Sequence, residues 1–470
     1  MKTKAFLSII FCFFPVFAFA QDIFRGAGIG FIISDLQTGE TVFEQNSNLC
    51  LAPASVSKII TTATAVEILG ADFRFQTTLK YDGEINGGVL NGNLYLCGGG
   101  DATLGSSFFP DYDFLTEFYK ALKKKGIAEI NGYVIPNAEI FDNEAIPFGW
   151  MWQDIANYYG SGVYGLSVWD NTVSVTFRTG KQGETPQIVD VSPKIDGLTF
   201  ENYLVAKKNC GDSAYFYGAP YDNKRLIFGT LEVNHKHFTV KADIPNPPMA
   251  AAQALNNFLN EKRIKTLGIM AENSLKNLPK KTLHIYFSPP LSEIIKTTNY
   301  LSNNSFAEHL LKFLSVNSNQ KGTLAKSLEI VKNFWAGKGL DVSAFFITDG
   351  SGLSPHSAIS AKFINNVLVY MARESKNSQI FINSLPIAGK DGTVKNFLKN
   401  TPLQGKARLK SGSIERVQCY AGYIVDNERN YAITILVNNF SGKRKDAVKE
   451  IEKMILEHFW HTDNTDFFNF

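Results

Sequence analysis

The strand-forming runs that close this chain complete a pattern that opens it, and this split most constrains the fold. Near the start, Phe31-Ile-Ile-Ser-Asp and Glu40-Thr-Val-Phe-Glu flank Leu36-Gln-Thr-Gly39, which predicts a β-hairpin. Near the end, Ala407-Arg-Leu-Lys-Ser-Gly, Tyr420-Ala-Gly-Tyr-Ile-Val and Tyr431-Ala-Ile-Thr-Ile-Leu-Val are three consecutive strand-like runs, the last two joined by a turn at Asp426-Asn-Glu-Arg-Asn. An amphipathic helix follows them, with Val448, Ile451, Ile455 and Phe459 on one stripe. Strands at both ends with a terminal helix predict an α+β fold: one antiparallel sheet with helices, assembled from the N- and C-terminal parts.

The long middle has turn-rich strands of its own. They run from Thr77-Thr-Leu-Lys-Tyr through Gly92-Asn-Leu-Tyr-Leu-Cys to Phe238-Thr-Val-Lys-Ala, and the Pro-rich Ile244-Pro-Asn-Pro-Pro-Met marks a boundary. We therefore expect residues 21–76 and 276–470 to form the main domain. Residues 77–165 with 244–275 are expected to form one β-rich insert, and 166–243 a second.

Residues Met1–Ala20 set the compartment. Lys2 and Lys4 precede an apolar run from Ala5 to Phe17 and then Ala18-Phe19-Ala20, the pattern of a cleavable secretory signal. The run is too short to span a bilayer. We expect a mature chain starting near Gln21, without a membrane span. Losing Lys2 and Lys4 leaves 45 basic residues against 44 acidic, a net charge of +1. That balance argues against a nucleic-acid partner. Cys50, Cys97, Cys210 and Cys419 remain, and an oxidising compartment permits pairing. No Cys-x-x-Cys spacing suggests a metal site. Isolated thiols and two bridges both fit.

The chemistry starts at Pro53-Ala-Ser-Val-Ser-Lys58, which runs into Ile59-Ile-Thr-Thr-Ala. It places Ser55 at the mouth of a helix expected to be amphipathic, with Ile59, Ala63, Val66 and Leu69 at helical spacing and a stop at Gly70. Residues three apart share a helix face, so the Lys58 amine can reach the Ser55 hydroxyl. A serine needs a neighbouring base to become a nucleophile, and this pair supplies one without histidine. Alone the motif is weak, since Ser318 and Lys321 repeat it in a polar loop. Two further motifs follow in order: Ser302-Asn303-Asn304 at the start of a helical stretch, and Lys410-Ser411-Gly412 on an edge-like strand that a substrate backbone could approach. The chain has no Gly-x-Ser-x-Gly elbow, which argues against a Ser-His-Asp hydrolase despite His309 and His356. His235 and His237 alternate on a strand and are expected to face solvent.

With this trio the chain resembles the class C low-molecular-weight penicillin-binding proteins, the D-alanyl-D-alanine carboxypeptidase/endopeptidase type called penicillin-binding protein 4. Further matching pieces are Leu51-Ala-Pro-Ala-Ser, Gly98-Gly-Gly-Asp-Ala-Thr-Leu, Gly149-Trp-Met-Trp-Gln-Asp with Tyr158-Tyr-Gly, Tyr164-Gly-Leu-Ser-Val-Trp-Asp-Asn, Asp349-Gly-Ser-Gly-Leu-Ser, Ala388-Gly-Lys-Asp-Gly-Thr and Ala421-Gly-Tyr. The resemblance covers nearly the whole mature chain. It implies a penicillin-recognising transpeptidase/β-lactamase-like domain, peptidoglycan peptides as substrate, β-lactam antibiotics as covalent inhibitors, a periplasmic location and no cofactor.

It also implies roles. Ser55 attacks the D-Ala-D-Ala or cross-link carbonyl, and Lys58, its pKa lowered by burial beside Lys410, takes the proton. Ser302, helped by Asn304, relays a proton to the leaving amine. Lys410 and the Ser411 hydroxyl meet the substrate carboxylate, with Gly412 lining the approach. The backbone N–H groups of Ser55 and Ser413 form the oxyanion hole. The Asp349 loop is expected to support the site. Two departures stand out: Ser411 replaces the usual threonine, and the segment Val134–Phe141 offers Pro136 or Asn137, with Glu139 and Asp142 nearby, where an aspartate for a diamino acid is expected. A β-lactamase or a silent wall-binding protein are the competing readings.

Overall fold

The computed structural model describes residues 23–271, 280–426 and 429–459. The expected signal segment lies outside the described residues. The two chain ends do form one five-stranded antiparallel sheet, in the order Ala407–Ile414, Val417–Asp426, Arg429–Asn438, Gly28–Asp35, Thr41–Gln45. Alternation along the strands sorts side chains to two faces. Phe31, Ile33, Ile435 and Val437 pack on one side with Ile451 and Ile455 of the terminal helix Arg444–Phe459. Ile32 and Leu436 point to the other side, into a helical core with Ile59, Leu310 and Val367. The central strands are apolar on both faces because both faces are covered.

The helix Lys58–Leu69 differs from expectation. Every residue from Lys58 to Val66 is buried, so it is a core helix and not an amphipathic one. Its threonines tolerate burial because their hydroxyls are satisfied: Thr62 donates to Lys58 O, Thr64 to Ile60 O and Thr61 to Gly350 O, each at 2.7 Å.

The inserts also depart from the expected division. Lys281–Phe287, expected in the main domain, pairs antiparallel with Gln76–Tyr81 and joins the sheet that continues through Leu94–Cys97 to Val134–Asn137. Tyr286 is the reason: it is fully buried in the insert's core beside Leu79 and Leu94. That core runs on without a break to Val173, Phe177, Ile227 and Leu231, so both inserts share it. The Pro-rich boundary is a helix start, with Asn246 capping Pro247–Glu261. The four cysteines are free thiols, only Cys419 being fully buried. Among the described residues no helix is long and apolar enough to cross a membrane.

Candidate active site

Ser55 stands in a tight turn, Ala54–Ser57, before its helix. Ala54 has φ +46°, a conformation rarely adopted by a residue with a side chain. The turn is clamped from both sides. Gly352, itself at φ +74°, presses so closely on the Ala54 carbonyl that a Cβ there would overlap it. On the other flank, a Cβ at Gly412 would meet Pro53 O at 2.6 Å, Val56 N at 2.8 Å and Ser55 N at 2.9 Å. Gly412 is thus required by contact with the serine's own backbone. Gly412→Ala is expected to push the strand off the Ser55 N–H and slow acylation about 10²-fold, as for a lost oxyanion donor; unchanged stopped-flow acylation by a chromogenic β-lactam would refute this.

Lys58 lies fully buried beneath the serine. Its Nζ is 2.9 Å from Ser55 Oγ, 2.7 Å from Asn304 Oδ1 and 2.7 Å from Ser351 O. Asn304 donates its amide N–H to Tyr159 O at 2.9 Å, which turns its oxygen toward the lysine. Two of the three neighbours are carbonyl oxygens that can only accept. A neutral amine spends its two N–H bonds on them and turns its lone pair to the Ser55 hydroxyl. Burial brings Lys58 down from 10.5 to about 7, against the opposing pull of Asp349 and Glu308.

Lys410, also buried, donates to Ser302 Oγ at 2.9 Å and to Ser411 O at 2.7 Å. Burial first, and the Lys58 charge second, hold it well below its ordinary value. Ser302 sits between helices at φ +58°, ending Leu291–Leu301. The next helix is capped by Asn303, whose side chain accepts from Phe306 N at 3.0 Å, so neither the Ser302 nor the Asn304 side chain is spent on capping it. Ser411 Oγ contacts Thr393 Oγ1 at 2.8 Å. Ser55, Ser302, Asn304, Ser411 and Ser413 all open onto one cleft of about 1420 Å³.

Behind these residues the Asp349 loop supports the site as expected, whereas the part of Glu308 was missed. Glu308, one turn beyond Asn304 on the same helix, accepts from Gly350 N at 3.0 Å and Ser351 N at 2.7 Å. Asp349 accepts from Gly352 N, Ser354 N and the indole N–H of Trp150 at 2.8–3.0 Å. Together they fix the loop whose Ser351 carbonyl holds Lys58. Burial raises both carboxyls, Glu308 to about 7. The i, i+4 spacing of Asn304 and Glu308 was the available signal.

The segment expected to meet a diamino acid is elsewhere. Asn137 and Glu139 line a separate, smaller cavity, and Asp142 pairs with Lys312 at 2.5 Å. The cleft instead holds Asp154, which accepts from the Tyr159 hydroxyl at 3.2 Å and is raised by burial. It lies in the Gly149–Asp154 run already noted for its resemblance.

His309 is structural. Its Nδ1 donates to Ser305 O at 2.7 Å, leaving Nε2 to accept from Ser167 Oγ at 2.8 Å. Burial lowers it from 6.5 to about 4. Its neutral form is favoured in the fold, so its contribution is complete above pH 6.5 and is lost as pH falls toward 4. The span is worth about 3 kcal/mol. Thermal midpoints from pH 7 to 4.5 should fall less steeply in His309→Asn than in the parent; equal slopes would exclude this role. His235 and His237 are exposed, as expected, but they lie in the turn between the strands Lys224–Glu232 and Phe238–Asp243, not on a strand.

Comparison with known proteins gives the same picture. The chain is 27% identical over 436 residues to D-alanyl-D-alanine carboxypeptidase DacB of Haemophilus influenzae, covering 90% of this chain and 87% of that protein. It is 27% identical over 451 residues to the D-alanyl-D-alanine carboxypeptidase of Actinomadura sp., covering 91% and 80%. Its fold superposes on the crystal structure of penicillin binding protein 4 from H. influenzae with a TM-score of 0.80, at 24% identity and coverage of 93% and 97%. The family model described as D-Ala-D-Ala carboxypeptidase 3 (S13) matches residues 17–458, nearly the whole chain, and to that family this serine-type enzyme belongs.

Proposed function

We propose that the cleft hydrolyses the D-Ala-D-Ala end or the cross-link of peptidoglycan stem peptides through an acyl-enzyme on Ser55. The convergence of the Ser55–Lys58–Asn304 and Lys410–Ser302 pairs on one cleft carries this reading. Neutral Lys58 takes the Ser55 proton as Oγ attacks the carbonyl, and the Ser55 and Ser413 N–H groups hold the oxyanion. Ser302 passes a proton to the departing amine. Lys410, with Ser411, meets the terminal carboxylate. Water then releases the peptide and regenerates the serine. In this reading Asp154, which lines the cleft, meets a cationic group on the stem. A β-lactam enters the same first step but keeps its leaving group tethered, which makes it a covalent inhibitor. The signal-like pattern of the first twenty residues supports a periplasmic location.

A class A β-lactamase reading requires a carboxylate free to activate the deacylating water. Glu308 faces the wrong way for that, since both oxygens are taken by the Gly350 and Ser351 N–H groups. Benzylpenicillin is therefore expected to leave a lasting adduct that peptide mapping finds on Ser55, and muropeptide digests should lose terminal D-alanine or cross-links. Rapid consumption of the drug without an adduct would instead favour the β-lactamase; neither adduct nor consumption would remove Ser55 from the mechanism.

A further inference from the structure

The cleft continues beyond the reacting groups. Its far wall includes Tyr215 and Tyr217, which share the outer face of the strand Asp212–Tyr217. From there a row of rings runs out over the second insert. Trp152, two residues before Asp154, lies 6.4 Å from Tyr217 between ring centroids. Tyr217 meets Phe228 edge-on at 5.7 Å, and Phe228 stacks on Tyr203 at 5.0 Å with planes 11° apart. The strand register sets Tyr215 directly opposite Phe228.

These rings do not serve the core. Trp152 is 56% exposed, Tyr203 54% and Phe228 42%, whereas Phe216 and Ile227, their inward neighbours on the same strands, are fully buried. A contiguous exposed apolar row marks a binding surface. Its borders are polar: Ser213 lies opposite Thr230, and the Tyr203 hydroxyl donates to Glu201, which pairs with Lys224. Flat rings flanked by hydroxyl and carboxylate groups suit a pyranose, whose C–H face packs on an aromatic while its hydroxyls find hydrogen-bond partners. Continuity with the cleft through Tyr215 and Tyr217 identifies the occupant, because a stem peptide arrives attached to a sugar chain.

We propose that Trp152, Tyr217, Phe228 and Tyr203 form a subsite for the glycan strand that carries the stem peptide. The assignment of the occupant rests on the reading of the cleft as a stem-peptide site. Binding at the row requires no chemistry at Ser55, and it predicts a preference for polymeric substrate over free peptide.

The test uses the full chain with Tyr203→Ser/Phe228→Ser, both outside the cleft wall. Ser55→Ala protein is titrated with glycan strands stripped of their peptides, read by tryptophan fluorescence, with and without the double substitution. Loss of two stacking rings should weaken binding about tenfold or more. In the otherwise native enzyme the double variant should keep its rate on a soluble pentapeptide within about twofold, which also reports correct folding, while losing about tenfold in D-alanine release from intact sacculi. Equal glycan binding by both proteins, no binding by the parent, or equal loss on pentapeptide and sacculi would overturn the subsite. A dimer of the parent that the double substitution dissociates would also overturn it, making the row a self-interface. Glycan binding that the double variant loses, in an enzyme that never cleaves pentapeptide, would sink the reading of the cleft and leave the subsite standing.

Discussion

Ser55→Ala is expected to abolish both acylation by benzylpenicillin and hydrolysis of stem peptides, with a loss of at least about 10⁴-fold in kcat/KM. Lys58, Asn304 and the Ser55 N–H all survive the substitution, but without a hydroxyl no covalent intermediate forms. The remaining groups bind and polarise the substrate without dividing the reaction into two steps. The protein should fold normally, because among the described residues the Ser55 hydroxyl bonds only the Lys58 amine, and Lys58 retains Asn304 Oδ1 and Ser351 O. A thermal midpoint within about 2 °C of the parent, together with no adduct by intact mass, is the expected pair of results. Residual adduct formation on the alanine variant would place the nucleophile elsewhere.

The residues proposed to react stand out in the sequence because each sits in a local pattern. Ser55 and Lys58 lie one turn apart, Ser302 and Asn304 bracket a capping asparagine, and Lys410 to Ser413 lie on an edge strand whose partner strands are visible in the sequence. The split sheet was legible for a related reason: period-2 runs near residues 31 and 435 need each other to be covered. The Asp349 loop was expected as a support, but its partners were hidden because they act across the chain. Nothing near Asp349 announces that Trp150 of an insert donates to it, and nothing near Ser351 announces that its carbonyl ends at Lys58. Burial of the Lys58 helix was misread because its threonines look polar in sequence, yet their hydroxyls bond carbonyl oxygens inside the core. The strand Lys281–Phe287 was assigned to the wrong domain for the same reason: pairing with Gln76–Tyr81 is a long-range fact that composition does not carry.

Acylation should rise with pH through a midpoint near 7, the value to which burial brings Lys58. Below that midpoint the amine is an ammonium with no lone pair for the Ser55 proton, so the rate should fall about tenfold per pH unit. Above it the neutral amine is the majority form. Lys410 is also held well below its ordinary value, by burial first and by the Lys58 charge second. Two substitutions separate base from scaffold. Lys58→Ala removes both the base and its hydrogen bonds and should cost about 10³–10⁴-fold in acylation. Lys58→Arg keeps positive charge and donors for Asn304 and Ser351 but does not deprotonate in this range. If Lys58 served only to hold the loop and the asparagine, arginine would restore much of the rate; as the base it should leave the enzyme nearly as slow as alanine does, with the acid limb near pH 7 gone. Rapid-quench acylation measured from pH 5 to 10 on all three proteins decides between them, and an arginine variant that keeps both rate and limb would take the proton-transfer role away from Lys58.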